Sequence, residues 1–290
     1  MNGILLVDKP SGWTSNDVVC KLKGIFHERR IGHSGTLDPL ATGLLPVFIG
    51  KATKAVEFAE KQVKRYNAEI TFGIETDTQD ISGKVISECN CRVSSKEFLW
   101  AADSFKGNIQ QIPPMYSALK QNGKKLYELA RKGIEVERKP RTVTIYDISL
   151  LSETENGFRF SVQCSSGTYI RTLCQDIGKT LGCGACMSSL RRVECGLFSV
   201  EQAFNLEYIK QCAEEDRLDS LLVAIDTLFM DYPEYICSPE EERLLKNGVQ
   251  IHARISDGAY RVYSLSGELL MLGSAYGGII KTRKNFFEVI

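Results

Sequence analysis

GHSGTLDPLATGL, residues 32–44, is the stretch on which the reading of this chain turns. Three glycines, one proline and two threonines surround a single acid, Asp38. The flanking patterns read as helices, so the segment is a connection, and its composition makes it a stiff one. Pro39 fixes its own φ and bars Asp38 from the helical region, which holds the carboxylate on an extended backbone. Gly32, Gly35 and Gly43 allow tight turns or the close approach of another molecule. Such a loop presents one carboxylate and little else. An ordinary Asp-Pro turn accounts for the same letters, so the decision rests on the rest of the chain.

Extended to GHSGTLDPLATGLLP, the stretch resembles the signature loop of the TruB-type pseudouridine synthases, which modify the T-loop uridine of tRNA. Other segments are similar to the same family in the same order: GILLVDKPSGWTS at 3–15, KRYNAEITFGIETDTQDISG at 64–83, QIPPMYSALKQNGKKLYELARKG at 111–133, and GTYIRTL at 167–173 with LGCGA and SLRR downstream. The likeness runs from residue 3 to about residue 200. It implies an α+β fold, a mixed and largely antiparallel sheet flanked by helices, followed by a small PUA-like β-barrel. The barrel resemblance rests on YRVYSLSGELLMLG near the C-terminus. A β subdomain that only packs on the first module would read the same way.

With 290 residues, the chain is long enough for two domains. We expect a catalytic domain over 1–230 and an RNA-binding module over 231–290, with the boundary near 228–236. Hydrophobic content of 43% and charged content of 25% are those of a globular protein. No apolar run of membrane-spanning length occurs, and the first residues read as a strand and not a signal peptide. The expected location is cytoplasmic. Ten cysteines then read as reduced thiols. Cys174, Cys183, Cys186 and Cys195 invite a zinc check, but Cys174 falls in a helical pattern as a core position, and a second tight pair at zinc-ribbon spacing is missing. Cys89 and Cys91 are expected on one side of a strand.

Net charge is zero, yet it is unevenly spread. Residues 120–141 hold eight basic and three acidic side chains, whereas 201–240 hold ten acidic and two basic. A basic segment balanced by an acidic one fits a single RNA-facing surface, and equally a solvated helix face rich in lysine. By resemblance, residues 115–141 are a thumb-like segment that grips the T-arm of tRNA. Lys120, Lys124, Lys125, Arg131 and Lys132 would then contact phosphates.

Periodicity supplies the remaining elements. Residues 3–8 read as a buried strand, and Thr14 or Ser15 caps a helix to Phe26. A helix is expected over 53–61. A strand follows at 65–73, with Tyr66, Ala68, Ile70 and Phe72 on one side. Further helices are expected from Ser94 or Ser95 to Phe105, over 123–132, and over 168–181. Strands are expected at 142–151, 157–164 and 190–199. Beyond Phe204 one packing helix and a connector lead to a short helix at 239–246. Strands then alternate with turns at 266–267 and 277–278.

Conversion of uridine to pseudouridine breaks N1–C1′ and makes C5–C1′. It needs no redox step, and the chain has no Walker loop, no GxGxxG after a strand and no HExxH, so we expect neither cofactor nor metal. It does need a group that attacks or stabilises developing charge, and a carboxylate serves at sugar carbons in glycosidases. The resemblance assigns that carboxylate to Asp38. Attack at C1′, attack at C6 and proton abstraction from the sugar all remain open. The family arginine that pairs with the aspartate is matched by Arg171, the tyrosine that stacks on the flipped base by Tyr66, and the pocket lining by Tyr169 and Leu190. His33 matches a histidine that fills the space the base vacates; with an ordinary pKa near 6.5 it is also a titrating acid, but the stacking role is preferred. Asp77 and Asp80 form a second possible carboxylate pair, read as loop residues that order a strand end or help the site indirectly. Lys9 and Pro10 read as structural.

These residues imply tRNA as partner, with base flipping, no obligatory protein partner and a monomer. Rival readings are an RNA-binding folding factor, a guide-RNA-dependent synthase, and a nucleosidase using Asp38 with Asp77 or Asp80.

Overall fold

The computed structural model describes residues 1–121 and 123–287. In chain order β1 (Gly3–Lys9), α1 (Ser15–Phe26), β2 (Ile31–His33), β3 (Thr42–Ile49), α2 (Val56–Glu60) and β4 (Lys64–Phe72) come first. β5 (Ile74–Thr76) and β6 (Val85–Glu88) form a hairpin, and α3 (Ser95–Asp103) leads to β7 (Gly107–Gln111). A minimal hairpin of β8 (Lys120–Gln121) and β9 (Lys124–Lys125) runs into α4 (Leu126–Ala130). β10 (Arg141–Thr154), β11 (Gly157–Cys164), α5 (Ile170–Thr180), β12 (Ala185–Cys195), β13 (Phe198–Ser199), α6 (Leu206–Glu214) and β14 (Leu222–Val223) complete the first module.

Ten strands make its sheet, in the order β14-β1-β3-β12-β4-β11-β10-β7, with β2 on β3 and β13 on β12. Only β12 and β3 run parallel; the other ladders are antiparallel. This is the mixed, largely antiparallel α+β architecture expected. The residues of β1 and β3 explain why these strands lie deep. Leu5, Val7, Leu45 and Val47 face a core shared with α1, α5 and α6, while Ile4, Leu6, Leu44 and Phe48 face a second core on the other side. A strand buried on both faces reads as continuous apolar letters, not as alternation. Residues 3–8 carry that signature in β1.

The same fact explains a miss. TGLLPVFI is a strand that the sequence pattern does not announce, so the Asp38 loop, expected between helices, lies between β2 and β3. Pro46 argues against a strand by propensity, but here it sits opposite Leu6 with its carbonyl accepting from Ser34 N at 3.0 Å. The helix expected over 53–61 is a 3₁₀ turn at Gly50–Ala55 followed by α2. That expected over 123–132 is shorter, because β9 occupies its start. β12 begins five residues earlier than expected, at Ala185. Cys89 and Cys91 do not share a strand, since β6 ends at Glu88.

Caps fall where the sequence places them. Thr14 closes a capping box with Asp17 at α1, and Ser94 does so with Glu97 at α3. β4 alternates as expected, with Tyr66, Ala68, Ile70 and Phe72 all buried in the main core.

The tail contains β15 (Glu234–Ile236), α7 (Pro239–Lys246), β16 (Ile251–His252), β17 (Gly258–Tyr263), β18 (Leu269–Tyr276) and β19 (Ile279–Asn285). Their order, β15-β17-β18-β19-β16, makes a curled half-barrel consistent with a PUA-like module. Positions 288–290 of the expected tail domain lie outside the described residues. Leu272 and Phe286 reach out of the tail into the second core, against Phe48 and Phe229. Among the described residues no helix is long and apolar enough to cross a membrane.

Candidate active site

The Asp38 loop is held from several sides. Ser15, buried at the start of α1, accepts from Leu37 N at 2.9 Å and donates to Leu37 O at 3.2 Å. The Pro39 carbonyl accepts from Gly12 N at 2.8 Å and from Lys9 Nζ at 3.4 Å. Lys9 is fully buried and also donates to Pro10 O at 2.9 Å and Trp13 O at 2.6 Å. Burial draws its pKa down to about 8, although the Asp38 charge pulls the other way. Gly43 has φ +96 and its Cβ position would fall 2.3 Å from the Arg192 carbonyl, so no other residue fits that close approach.

Arg171 meets this loop from α5. Tyr169 is the helix N-cap and lacks a side-chain cap bond. Gln111, fully buried on β7, supplies the anchorage: its Oε1 accepts from Tyr169 N at 2.8 Å and its Nε2 donates to Tyr169 O at 3.0 Å. Two residues on, Arg171 Nε lies 2.9 Å from Asp38 Oδ2. Its Nη1 donates to Thr78 O at 3.0 Å and its Nη2 to Tyr116 O at 2.8 Å. Asp80 Oδ2 stands 3.6 Å from Nη1. The Asp38 side chain is 35% exposed, while that of Arg171 is only 4% exposed. Burial pushes the Asp38 pKa above the usual carboxyl range; Arg171 opposes the rise and Asp80 adds to it.

Asp38, Tyr66, Tyr169 and Leu190 line one pocket of about 440 Å³, together with Lys64 and Arg192. Tyr66 projects from β4 and Leu190 from β12, two strands in direct register. Burial pushes the Tyr66 phenol up to about 12, so it carries its proton at neutral pH. A wider groove of about 800 Å³ lies in the tail near α7 and β19, lined by Lys246, Lys281 and Asn285 among others; it contains no carboxylate and none of the residues above.

His33 does not line the pocket. It sits at the end of β2 with a buried Nδ1 that makes no hydrogen bond among the described residues. Burial, then Arg192, lower its pKa, which favours the neutral ring. Asp77 and Asp80 play different parts in the structure. Asp77 accepts from Lys84 N at 2.8 Å and orders the β5–β6 turn, as expected, whereas Asp80 joins the Arg171 network. Lys120, Lys124, Arg131 and Lys132 are exposed and Lys125 half-buried. Lys125 and Arg131 both stand over the Tyr127 ring at 5.4 Å. Among the described residues no group of three or more metal-ligating side chains comes together. Cys174 is buried in the main core.

Sequence reasoning missed Gln111, Gln79 and Arg192. Gln79 takes φ 65 and accepts from Thr172 Oγ1 at 2.8 Å, seating the turn on α5. A glutamine in such a position is unusual backbone, but no local pattern announces it.

The family model described as "TruB family pseudouridylate synthase (N terminal domain)" matches residues 23–170, and "tRNA pseudouridylate synthase B C-terminal domain" matches residues 171–230. A tRNA pseudouridine synthase B of Clostridium novyi is 46% identical over 98% of this chain and 99% of its own length. That of Clostridium acetobutylicum is 45% identical over 94% and 96%. A solved Cbf5-Nop10-Gar1 complex superposes with TM-score 0.74 at 27% identity, covering 99% of this chain and 85% of that one. The fold, the sequence and the matched models agree: this chain belongs to the TruB family of pseudouridylate synthases.

Proposed function

We propose that the chain isomerises the T-loop uridine 55 of tRNA to pseudouridine. The observation that supports it most is the pairing of Asp38 with Arg171 at 2.9 Å beside a pocket that Tyr66, Tyr169 and Leu190 also line. A uridine inside a folded loop must leave its stack to reach such a pocket. Tyr66 offers a flat face to the extruded base, a contact worth about 1–3 kcal/mol in stacking systems. Asp38, held by Arg171, engages the sugar or the base as N1–C1′ breaks; attack at C1′, attack at C6 and proton abstraction all use this carboxylate. The uracil turns in the pocket, C5–C1′ forms, and C5 loses its proton.

The basic hairpin with α4 grips the T-arm, the tail module expected over 231–290 adds RNA contact, and His33 fills the gap left in the RNA. The protein acts as a monomer in the cytoplasm, without a protein partner.

The test is tritium release from a T-arm stem-loop labelled at C5 of uridine, comparing the unsubstituted protein with Asp38→Ala. C5 loses its hydrogen only once the carbon–carbon bond has formed. Release that Asp38→Ala abolishes while RNA binding persists supports the reading. A folded protein that binds the stem-loop without release would instead be an RNA-folding factor, and turnover of free nucleosides would make it a nucleosidase.

A further inference from the structure

Arg192 is fully buried, and two of its three nitrogens are committed. Nε donates to Leu44 O at 2.6 Å and Nη1 to Gly35 O at 2.8 Å, so the side chain fastens both ends of the Asp38 loop. Gly35 permits this: it takes φ +69, and a Cβ there would lie 3.0 Å from Nη1. The third nitrogen, Nη2, is buried and makes no hydrogen bond among the described residues. Buried N–H groups are rarely left without an acceptor. Nor is a carboxylate at hand. Arg191, its neighbour, pairs with Asp8 at 2.8 Å, whereas Arg192 shows no ion pair among the described residues. Of the nearby groups, Lys64 is a cation and offers no acceptor, and the neutral His33 ring makes no hydrogen bond to Nη2 among the described residues.

Across the β12–β4 ladder the direct partner of Arg192 is Tyr66, and both line the pocket. The guanidinium interacts electrostatically with the phenol, while Nη2 itself makes no hydrogen bond among the described residues. We propose that Arg192 is a positioning residue that acts through Tyr66. Its Nη2–H donates to the phenol oxygen once a base fills the pocket, which occupies a lone pair and turns the phenol O–H toward the uracil. This rests on the synthase reading of the site. Because the same guanidinium holds Gly35 and Leu44, it also registers the Tyr66 ring against the Asp38 loop.

A double-mutant cycle tests it. kcat and KM are measured on a T-arm stem-loop for the unsubstituted protein, Arg192→Lys, Tyr66→Phe and the double variant, with Arg192→Gln as a second series and a thermal melt on each. Arg192→Lys should lower kcat by about 10- to 100-fold with KM changed by less than about threefold. In the Tyr66→Phe background the loss should be at least about tenfold smaller. A folding or loop defect acts alike in both backgrounds and cancels in the ratio. Equal losses in the two backgrounds would overturn the proposal. In the unsubstituted protein bound to the stem-loop, the pairing also requires a nuclear Overhauser contact between Tyr66 ring and Arg192 guanidinium protons. Its absence overturns the proposal even where neither variant folds. Failure of the synthase reading looks different: the unsubstituted protein itself would make no pseudouridine.

Discussion

The Arg171 guanidinium meets the Asp38 carboxylate through Nε, 2.9 Å from Oδ2, while its other two nitrogens are held by the Thr78 and Tyr116 carbonyls. The arginine therefore cannot swing to follow the aspartate. Its plane is set by a turn before β6 and by a segment ahead of β8, and Asp38 is delivered to it by a separately braced loop. Such preorganisation costs nothing at the moment of reaction, since the donor already points at the charged group. Two main-chain carbonyls hold Arg171, and Ser15, Lys9 and Gly12 brace the Asp38 loop, which makes the site a product of several segments of the fold.

Asp38→Asn should reduce tritium release by at least about 10⁴-fold, as loss of a central catalytic group does elsewhere. Stability should move the other way or not at all. The folded-state pKa of Asp38 is raised, so its charge costs stability above that pKa; the cost shrinks as pH falls through it and is gone below the ordinary value of 3.8. Asn removes the charge, and Arg171 keeps Asp80 at 3.6 Å. A melting temperature equal to or above that of the unsubstituted protein at neutral pH is expected; a clear fall would show that the ion pair carries the fold.

Arg171→Ala should damage both folding and rate. It strips two carboxylates of their cation, and breaking one side of a buried pair typically costs about 3–5 kcal/mol. Arg171→Lys keeps a charge but not a fork, so it cannot serve Asp38, Thr78 O and Tyr116 O together. Melts and single-turnover rates should therefore place Lys between Ala and the unsubstituted protein in stability, yet close to Ala in rate.

Asp80→Asn separates the charge of Asp80 from its hydrogen bonds. An amide oxygen still accepts from Thr78 Oγ1 and Ser82 N, which reach Asp80 Oδ1 at 2.9 and 3.1 Å. Asp80 contributes to the raised pKa of Asp38, so its neutralisation lowers that pKa. The acid limb of the kcat profile should then shift to lower pH. An acid limb that does not move would remove Asp80 from the electrostatics of the site.

How much of this was legible depended on where each contact is encoded. β4 was readable because Tyr66, Ala68, Ile70 and Phe72 alternate with residues outside the core, a signal written within nine positions. The Asp38 loop was readable from Gly and Pro chemistry together with the motif order. β3 was not, because both its faces are buried and Pro46 contradicts strand propensity. The tie from Arg171 to Thr78 spans 93 positions, and Gln111 reaches Tyr169 across 58. Such anchors carry no local pattern, so Gln111 and Arg192 emerged only with the sheet register.

Lys9 predicts opposite pH trends for activity and stability. Its pKa of about 8 lies below the ordinary lysine value of 10.5 because of burial. As pH rises through 8 the amine loses a proton, its bond to the Pro39 carbonyl weakens, and kcat should fall with an apparent pKa near 8. Between 8 and 10.5 the unfolded chain holds the proton that the folded one has shed, so stability rises with pH in that window. The melting temperature relative to Lys9→Met should therefore climb while turnover declines. A parallel fall of both would mean that alkaline inactivation is simply unfolding.

The basic hairpin should act on affinity and leave chemistry alone. Lys120, Lys124 and Lys132 are exposed and lie away from the pocket lining. Each phosphate contact contributes about 0.7–0.9 to the slope of log affinity against log salt. Replacing all three lysines by glutamine should flatten that slope by about 2–3 and raise KM at physiological salt, while kcat at saturating stem-loop changes by less than about twofold. Charges that only solvate the surface would leave the slope unchanged. A fall in kcat with an unchanged slope would mean instead that the hairpin shapes the pocket, through Ser117 and Leu119 on its approach. Salt titration of binding, run beside single-turnover rates on the same RNA, separates the three outcomes.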